Sequence, residues 1–573
     1  MLRGSRLLWL ASIAWILTAA AAFEAPLVAG DRQAADRPPE GIPITDPTVR
    51  KACGACHAAD DKQQMSRISF RRTTPEGWQE TIRRMVALNG VRLDPQTARE
   101  VVRYLSNHLG LAPEEAAAAA WETERRLVDY KYAGDADTEQ TCIACHSFGR
   151  ILHQRRTRQE WELLVAMHRG WYPLVDFQSF RRTGPPPPDP GPDGRPADKR
   201  HPMEKAIDHL SRTFPLHTAE WAAWSASMRP PRLEGEWALS GWEPGRGPIA
   251  GRVTIAAVAG APDEFTTTIR WTYARGGQTV ARAGRAVVYT GFQWRGRSTE
   301  GSNEQTSLRE VMSVDRGWQS MSGRWFTGGY DELGVDVTLT RIGRETVVTT
   351  LSRTALRRGA PGQEITFYGA NLPTAADARA LDLGPGVTVS RVVHAAADAL
   401  TVLVDVAADA AIGPRDVFLA GAARPAALTV YDQVQHIRVT PAWNMARVGG
   451  VVFPKMLARF EAWGYHNGPD GQPDTPDDLK LDTVPATWSL EEYTATYADD
   501  DLAFVGVIDP ATGVFTPNVD GPNPKRSGER NNVGDVWAVA SYTPEGSTTA
   551  LRARAHLLVT VPLYMRWEAP ASR

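Results

Sequence analysis

Two helix-length stretches of the chain repeat one apolar pattern. In EGWQETIRRM, Trp78, Thr81, Ile82 and Met85 fall at i, i+3, i+4 and i+7, and in QEWELLVAMH, Trp161, Leu164, Val165 and His168 fall at the same offsets. Residues so spaced share one helix face. The pattern therefore predicts two amphipathic helices, each opened near an RRT (RRTTPEGW at 71–78, RRTRQEW at 155–161). Further on, YLSNHLGLAPEE (104–115) matches HLSRTFPLHTAE (209–220), a closing helix for each copy. The chain thus opens with a duplicated module, at about 45–115 and about 135–228, whose copies differ mainly in loops. Between them, PEEAAAAAWETERRLVDYKY reads as a helix, with Pro113 near its first turn and Gly134 just past its end. The second copy carries an insertion, TGPPPPDPGPDGRPADK (183–199), whose proline content forbids regular helix or strand.

Past residue 230 the period changes from helical to alternating. GRVTIAAVAG, EFTTTIRWTY, RAVVYTGFQW and GVDVTLTRIG are short β runs separated by turn residues, which predicts an antiparallel barrel or sandwich over 231–345. EITFYGANL, GVTVSRVV, ALTVLVDV and IGPRDVFLAG predict an immunoglobulin-like β-sandwich over 346–432. A last β-sandwich domain, from HIRVTPAW to RARAHLLVTVPLYMRW, fills 433–573. The expected fold is therefore multidomain: an α-helical domain over 23–230, then three β domains. In the last domain, NGPDGQPDTPDD (467–478) is acidic and turn-rich. It lacks the residue order of a calcium-binding loop and reads as a solvated one.

A length of 573 residues agrees with several domains, and a formal charge of −2 argues against a nucleic-acid partner. Arg3 and Arg6, an apolar run, and small residues at Ala20–Ala22 have the layout of a secretory signal peptide over 1–22. The alternative, an uncleaved membrane anchor, is disfavoured by the shortness of the run. No later stretch approaches spanning length, so the mature chain is expected to be soluble and periplasmic.

The cysteines give the helical domain its chemistry. The chain has four, in Cys53-Gly-Ala-Cys56-His57 and Cys142-Ile-Ala-Cys145-His146. Disulfides or a four-cysteine zinc site would not require a histidine after each pair. Two C-x-x-C-H runs instead predict two covalently bound haem c groups, thioether-linked through Cys53, Cys56, Cys142 and Cys145, with His57 and His146 on iron. The repeat also suggests the second axial ligands, because Met85 and His168 occupy equivalent positions. Met167, at i+6 from Trp161, lies about 120° round the helix and is expected to pack elsewhere. Rivals for the first centre are Met65 and His108; for the second they are His153, His201, Met203 and His209. A methionine ligand raises the potential relative to a histidine pair, so electrons should run from the His146 centre to the His57 centre. With both axial positions filled, this is a relay and not a catalytic site for a small substrate. The chain contains no nucleophile elbow, phosphate loop or metalloprotease motif.

The duplicated C-x-x-C-H domain, the export signal and the three β domains resemble the α (dihaem cytochrome) subunit of quinohaemoprotein amine dehydrogenase. That resemblance implies a heterotrimer with a β-propeller subunit and a small crosslinked subunit, which carries the cysteine tryptophylquinone where primary amines are oxidatively deaminated. It implies that the α chain takes electrons one at a time from the reduced quinone and hands them to a periplasmic copper protein or cytochrome c. With all four cysteines assigned to haem, none is left to build a quinone here. Two other readings remain at this point: a dihaem cytochrome c peroxidase-like enzyme, which leaves the β domains unexplained, and a haem-bearing scaffold whose sandwiches bind a partner.

Overall fold

The computed structural model describes residues 40–119, 130–143, 146–172, 174–180, 189–190, 194, 196, 198–327, 333–375, 380–494 and 499–562. The expected signal peptide, Cys145 and most of the proline-rich insertion lie outside them.

In the first module α1 (Pro47–Cys53) runs into the first attachment motif. Strand β1 (Arg71–Thr73) leads into α2 (Pro75–Asn89), and α3 (Pro95–His108) closes the copy. All three helices start with proline behind a side-chain cap, from Asp46, Thr74 and Asp94 respectively. Proline fits there because the first helical N–H has no partner in any case. After the short α4 (Pro113–Ala116), the second module repeats the plan. It contains α5 (Ala136–Cys142), α6 (Gly149–Leu152), β2 (Gln154–Arg156), α7 (Arg158–Trp171), α8 (Val175–Gln178) and α9 (Pro202–Thr213), and α10 (Ala219–Ser227) leads out of it.

Each module has its own core. Trp78, Ile82, Val101 and Leu105 fill the first, and Trp161, Val165, Ile207 and Leu210 the second. What joins them is the repeated arginine segment itself. Strands β1 and β2 pair antiparallel, with Arg71 opposite Arg156, Arg72 opposite Arg155 and Thr73 opposite Gln154. The caps Thr74 and Thr157 are equivalent, each accepting from the N–H three residues on. Counting back from the caps makes Arg72 the counterpart of Arg155, so a local two-fold passes through that pair.

The connection between modules is not one helix. Helix α4 stops at Ala116, and Ala119 forms an antiparallel bridge with Tyr130. The His153 ring explains the break: its Nε2–H donates to the carbonyls of Ala116 and Ala119, at 3.2 and 3.0 Å. Those are acceptors that a continuing helix would use. Residues 120–129 lie outside the described residues.

The β region has three parts. Eight antiparallel strands between Gly235 and Arg341 form a closed barrel, the last pairing with the first (Leu339 opposite Leu239). Along Ala261–Tyr273 every second residue from Phe265 to Tyr273 is buried, the period a barrel interior demands. Much of the tryptophan content is here, with Trp237, Trp271, Trp294 and Trp325 in the barrel core. Next come two four-stranded sheets around Phe367, Val402 and Val430. Last comes a set of three sheets around Phe460, Trp488, Phe515 and Leu557.

The barrel abuts the helical domain closely. Glu76 pairs with Arg295, Arg103 with Asp263 at 3.3 Å, and the Trp224 indole donates to the Thr290 carbonyl at 2.8 Å. A Cβ on Gly110 would lie 2.4 Å from the Thr290 methyl, so only glycine allows this approach. Among the described residues no helix is long and apolar enough to cross a membrane.

Candidate haem sites

The second centre is the better defined. Helix α5 ends on Cys142, and His146 lies four residues further along the chain. Helix α7 crosses in front and presents His168, so the two imidazole centroids lie 6.5 Å apart, with their planes at 49°. Both rings are held by the same device. Nδ1–H of His146 donates to the Ser147 carbonyl and Nδ1–H of His168 to the Leu164 carbonyl, each at 2.8 Å. That tautomer leaves the lone pair on Nε2, which a metal needs. Metal–nitrogen bonds of about 2 Å and a ring radius of about 1.2 Å on each side would set centroids about 6.4 Å apart. Burial lowers both imidazole pKa values, keeping the rings neutral and able to coordinate.

Around the two rings lies a cavity lined by side chains of both modules. Its walls are apolar at Ile151, Val165, Phe180 and Leu210 and basic at Arg71, Arg84, Arg150 and Arg156. A large flat apolar group with anionic edges suits such walls. Cys142 lines the cavity with a free thiol, and burial raises its pKa. The residues present therefore fit a haem, with Cys142 available for a thioether. Cys145 lies outside the described residues.

Met167 lines this cavity beside His168 and is not turned away from it. Leu164, Val165, Met167 and His168 all contribute, so the cavity wraps about 160° of α7, given 3.6 residues per turn. A single helix face is narrower than the arc of α7 that borders this cavity. Of the rivals for this centre, His153 is occupied with the Ala116 and Ala119 carbonyls. His209 holds the Tyr132 hydroxyl at 2.7 Å, and His201 caps α9 by accepting from the Met203 N–H. Met203 itself is buried on the cavity wall.

The first centre shows the same preparation of its proximal histidine. His57 Nδ1–H donates to the Ser66 carbonyl at 2.9 Å, again leaving Nε2 for a metal. Cys53 borders the first core and Cys56 is exposed; both thiols are free. Met85 is partly buried on α2, and its sulfur accepts from the Asn89 amide at 3.7 Å. Of its rivals, His108 donates from Nε2 to the Pro43 carbonyl at 2.7 Å. Met65 is fully buried in the core that Cys53 borders, eight residues after His57, a placement that sequence periodicity did not favour.

Helix α2 stands between the two centres. Gly77, Glu80 and Arg84 line the second cavity, whereas Trp78 and Ile82 point into the first module's core. Met85 follows Arg84, about 100° further round.

Four family models match the chain. They describe the quinohemoprotein amine dehydrogenase α subunit: its haem-binding domain over residues 44–184, domain II over 230–342, domain III over 345–432 and domain IV over 437–571. No curated protein matches. Among solved structures, a redesigned β-barrel is 15% identical, covers 19% of this chain and 92% of its own, and gives a TM-score of 0.17. A second redesigned barrel, solved with DFHBI bound, is 17% identical over 19% of this chain and 94% of its own, with the same TM-score of 0.17. The haem-binding domain and all three β domains fall in one order along one chain, and the protein belongs to the family of quinohaemoprotein amine dehydrogenase α subunits.

Proposed function

We propose that this chain is the dihaem c electron-transfer subunit of a periplasmic amine dehydrogenase. It accepts electrons from a quinone cofactor in a small partner subunit, beside a β-propeller subunit, and passes them to a soluble copper protein or cytochrome c. Each haem c supplies a one-electron iron couple when bound. One observation supports the reading above others: His146 and His168 face each other at 6.5 Å with both Nδ1 atoms tied to backbone carbonyls. Such a pair would hold a haem iron through both Nε2 atoms, and the group would supply one-electron transfer there.

In this reading Cys53, Cys56, Cys142 and Cys145 hold the two groups, His57 and Met85 ligate one iron, and His146 and His168 the other. With Met85 as a ligand the first centre would lie at the higher potential, and electrons would pass from the His146 centre to the His57 centre. The two four-stranded sheets of the third domain, read as an immunoglobulin-like sandwich, and the last β domain serve as the frame for the partner subunits. Haem-stained analysis of the native complex, with a quinone stain for a small subunit, tests the assignment. Co-isolation of a propeller chain and a quinone-bearing chain is expected. An isolated monomer that reoxidises rapidly on adding peroxide would refute the relay and favour a peroxidase.

A further inference from the structure

Trp161 and Trp78 are counterparts in the two modules, each 1% exposed, yet their indole N–H groups differ in one respect. Trp78 Nε1–H donates to the Leu109 carbonyl at 3.1 Å, whereas Trp161 Nε1–H has no acceptor among the described residues. A buried donor left unpaired is rare and calls for an explanation. Trp161 lines the second cavity, so the missing acceptor is one that the cavity's occupant can supply.

The same cavity contains a second such donor. Arg71 is 9% exposed, and its Nε–H likewise lacks an acceptor among the described residues. Its Nη1 donates to the Thr81 hydroxyl at 3.1 Å, and its guanidinium lies 4.7 Å from the Trp78 ring centre. Burial, and then the neighbouring charge of Arg156, disfavour its cation. Four arginines line the cavity, Arg71, Arg84, Arg150 and Arg156, against two carboxylates, Glu76 and Glu80. Both carboxylates have partners of their own: Glu76 pairs with Arg295, and Glu80 with Arg83. Arg156 stacks 5.6 Å over the Trp161 ring while Arg71 lies opposite it in the sheet, so the basic charge and the unpaired indole share one end of the cavity. Arg156 is itself paired with Glu160 at 3.5 Å, so the acceptor is missing at Arg71 Nε–H and Trp161 Nε1–H.

We propose that Trp161 Nε1–H and the Arg71 guanidinium form the carboxylate site of the second centre, receiving a haem propionate. The inference rests on reading this cavity as a bis-histidine haem site. Arg71 belongs to the first module and Trp161 to the second, so a carboxylate held by both would bridge the two copies. A donor at that carboxylate lowers the effective negative charge beside the iron and holds its potential up.

The test uses the full chain carrying its haems, with Trp161→Phe, Arg71→Met and Arg71→Lys, and Trp78→Phe as internal control. Resonance Raman reads the propionate-bending band, and spectroelectrochemistry reads each centre's potential. Trp161→Phe and Arg71→Met are expected to shift that band. Arg71→Met should also move the oxidised-to-reduced ratio of the bis-histidine centre about tenfold toward the oxidised form at fixed potential, about 59 mV for one electron. Arg71→Lys should restore most of that change, and Trp78→Phe should leave the band unmoved. An unchanged band and potential in both Trp161→Phe and Arg71→Met, with bis-histidine spectra intact, would overturn the carboxylate site alone. An unaltered chain whose second centre lacks a bis-histidine spectrum would overturn the underlying reading, and this site with it.

Discussion

Arg72 faces Arg155 across the two-stranded sheet, and both guanidinium groups close on the carboxylate of Glu115. Arg72 makes two hydrogen bonds to it, at 2.7 and 2.8 Å, and Arg155 Nε approaches at 3.0 Å. The Arg72 side chain is 0% exposed and that of Glu115 3%, so the triad sits dry on the axis that relates the modules. Removing one partner from a buried charge cluster strands the others, at a cost of about 3–5 kcal/mol. Glu115→Ala is therefore expected to destabilise the helical domain by that amount while the barrel, with its separate core, unfolds as before. Thermal unfolding followed by haem absorbance and by tryptophan fluorescence checks it, and a loss below about 1 kcal/mol would mean that the modules are held together elsewhere.

The same triad sets an acid limit. Burial alone would raise the Glu115 pKa, but the Arg72 hydrogen bonds and the charges of Arg72 and Arg155 bring it below the ordinary value. A carboxylate whose folded pKa is depressed adds stability above the unfolded value, about 4.3, and loses that contribution as pH falls through the folded one. Stability of the helical domain should thus decline as pH drops below about 4, and Glu115→Gln should flatten that part of the profile. Equal acid dependence in the variant and the parent would assign the limit to other carboxylates.

How much of this the sequence carried depends on range. The duplicated helices, both C-x-x-C-H turns and the change to alternating strands after residue 230 are local signals, and each helix begins at the threonine cap of its arginine segment. Partner choice is not local. Nothing within RRT says that its two copies pair with each other, so the arginines read as helix openers instead of the seam between modules. The alanine-rich connection failed for a related reason. Propensity favours helix there, and a histidine some 35 residues away takes its carbonyls. Met167 lines the cavity together with Leu164, Val165 and His168, a wider arc than the single helix face that periodicity marks.

Haem content should divide cleanly between the motifs. Cys53→Ala with Cys56→Ala is expected to halve the covalent haem per chain and leave the bis-histidine spectrum. Cys142→Ala with Cys145→Ala should remove that spectrum and leave the other. The modules have separate cores, so loss of one group need not unfold the other. Pyridine haemochrome quantification on purified chains decides it. Loss of all haem from either double variant would show that the sites load cooperatively.

The distal ligands are separable by exchange. His168→Met retains a side chain that can reach iron but replaces a nitrogen donor with a thioether, which raises the potential of a c-type centre. The two midpoint potentials should therefore converge in His168→Met, and the driving force between centres should shrink with them. Met85→His should also bring them together, from the opposite side, because it lowers the first centre. Met85→Ala is expected to abolish the methionine–iron charge-transfer band at the red end of the spectrum, and Met65→Leu to preserve it. Met65 is the informative control, since it is fully buried beside the first attachment motif and Met85 is only partly buried on α2. If the band survives Met85→Ala and vanishes in Met65→Leu, the ligand comes from the loop after His57. Helix α2 would then be only the wall between the centres, and the helix equivalence that pairs Met85 with His168 would hold for backbone position but not for iron.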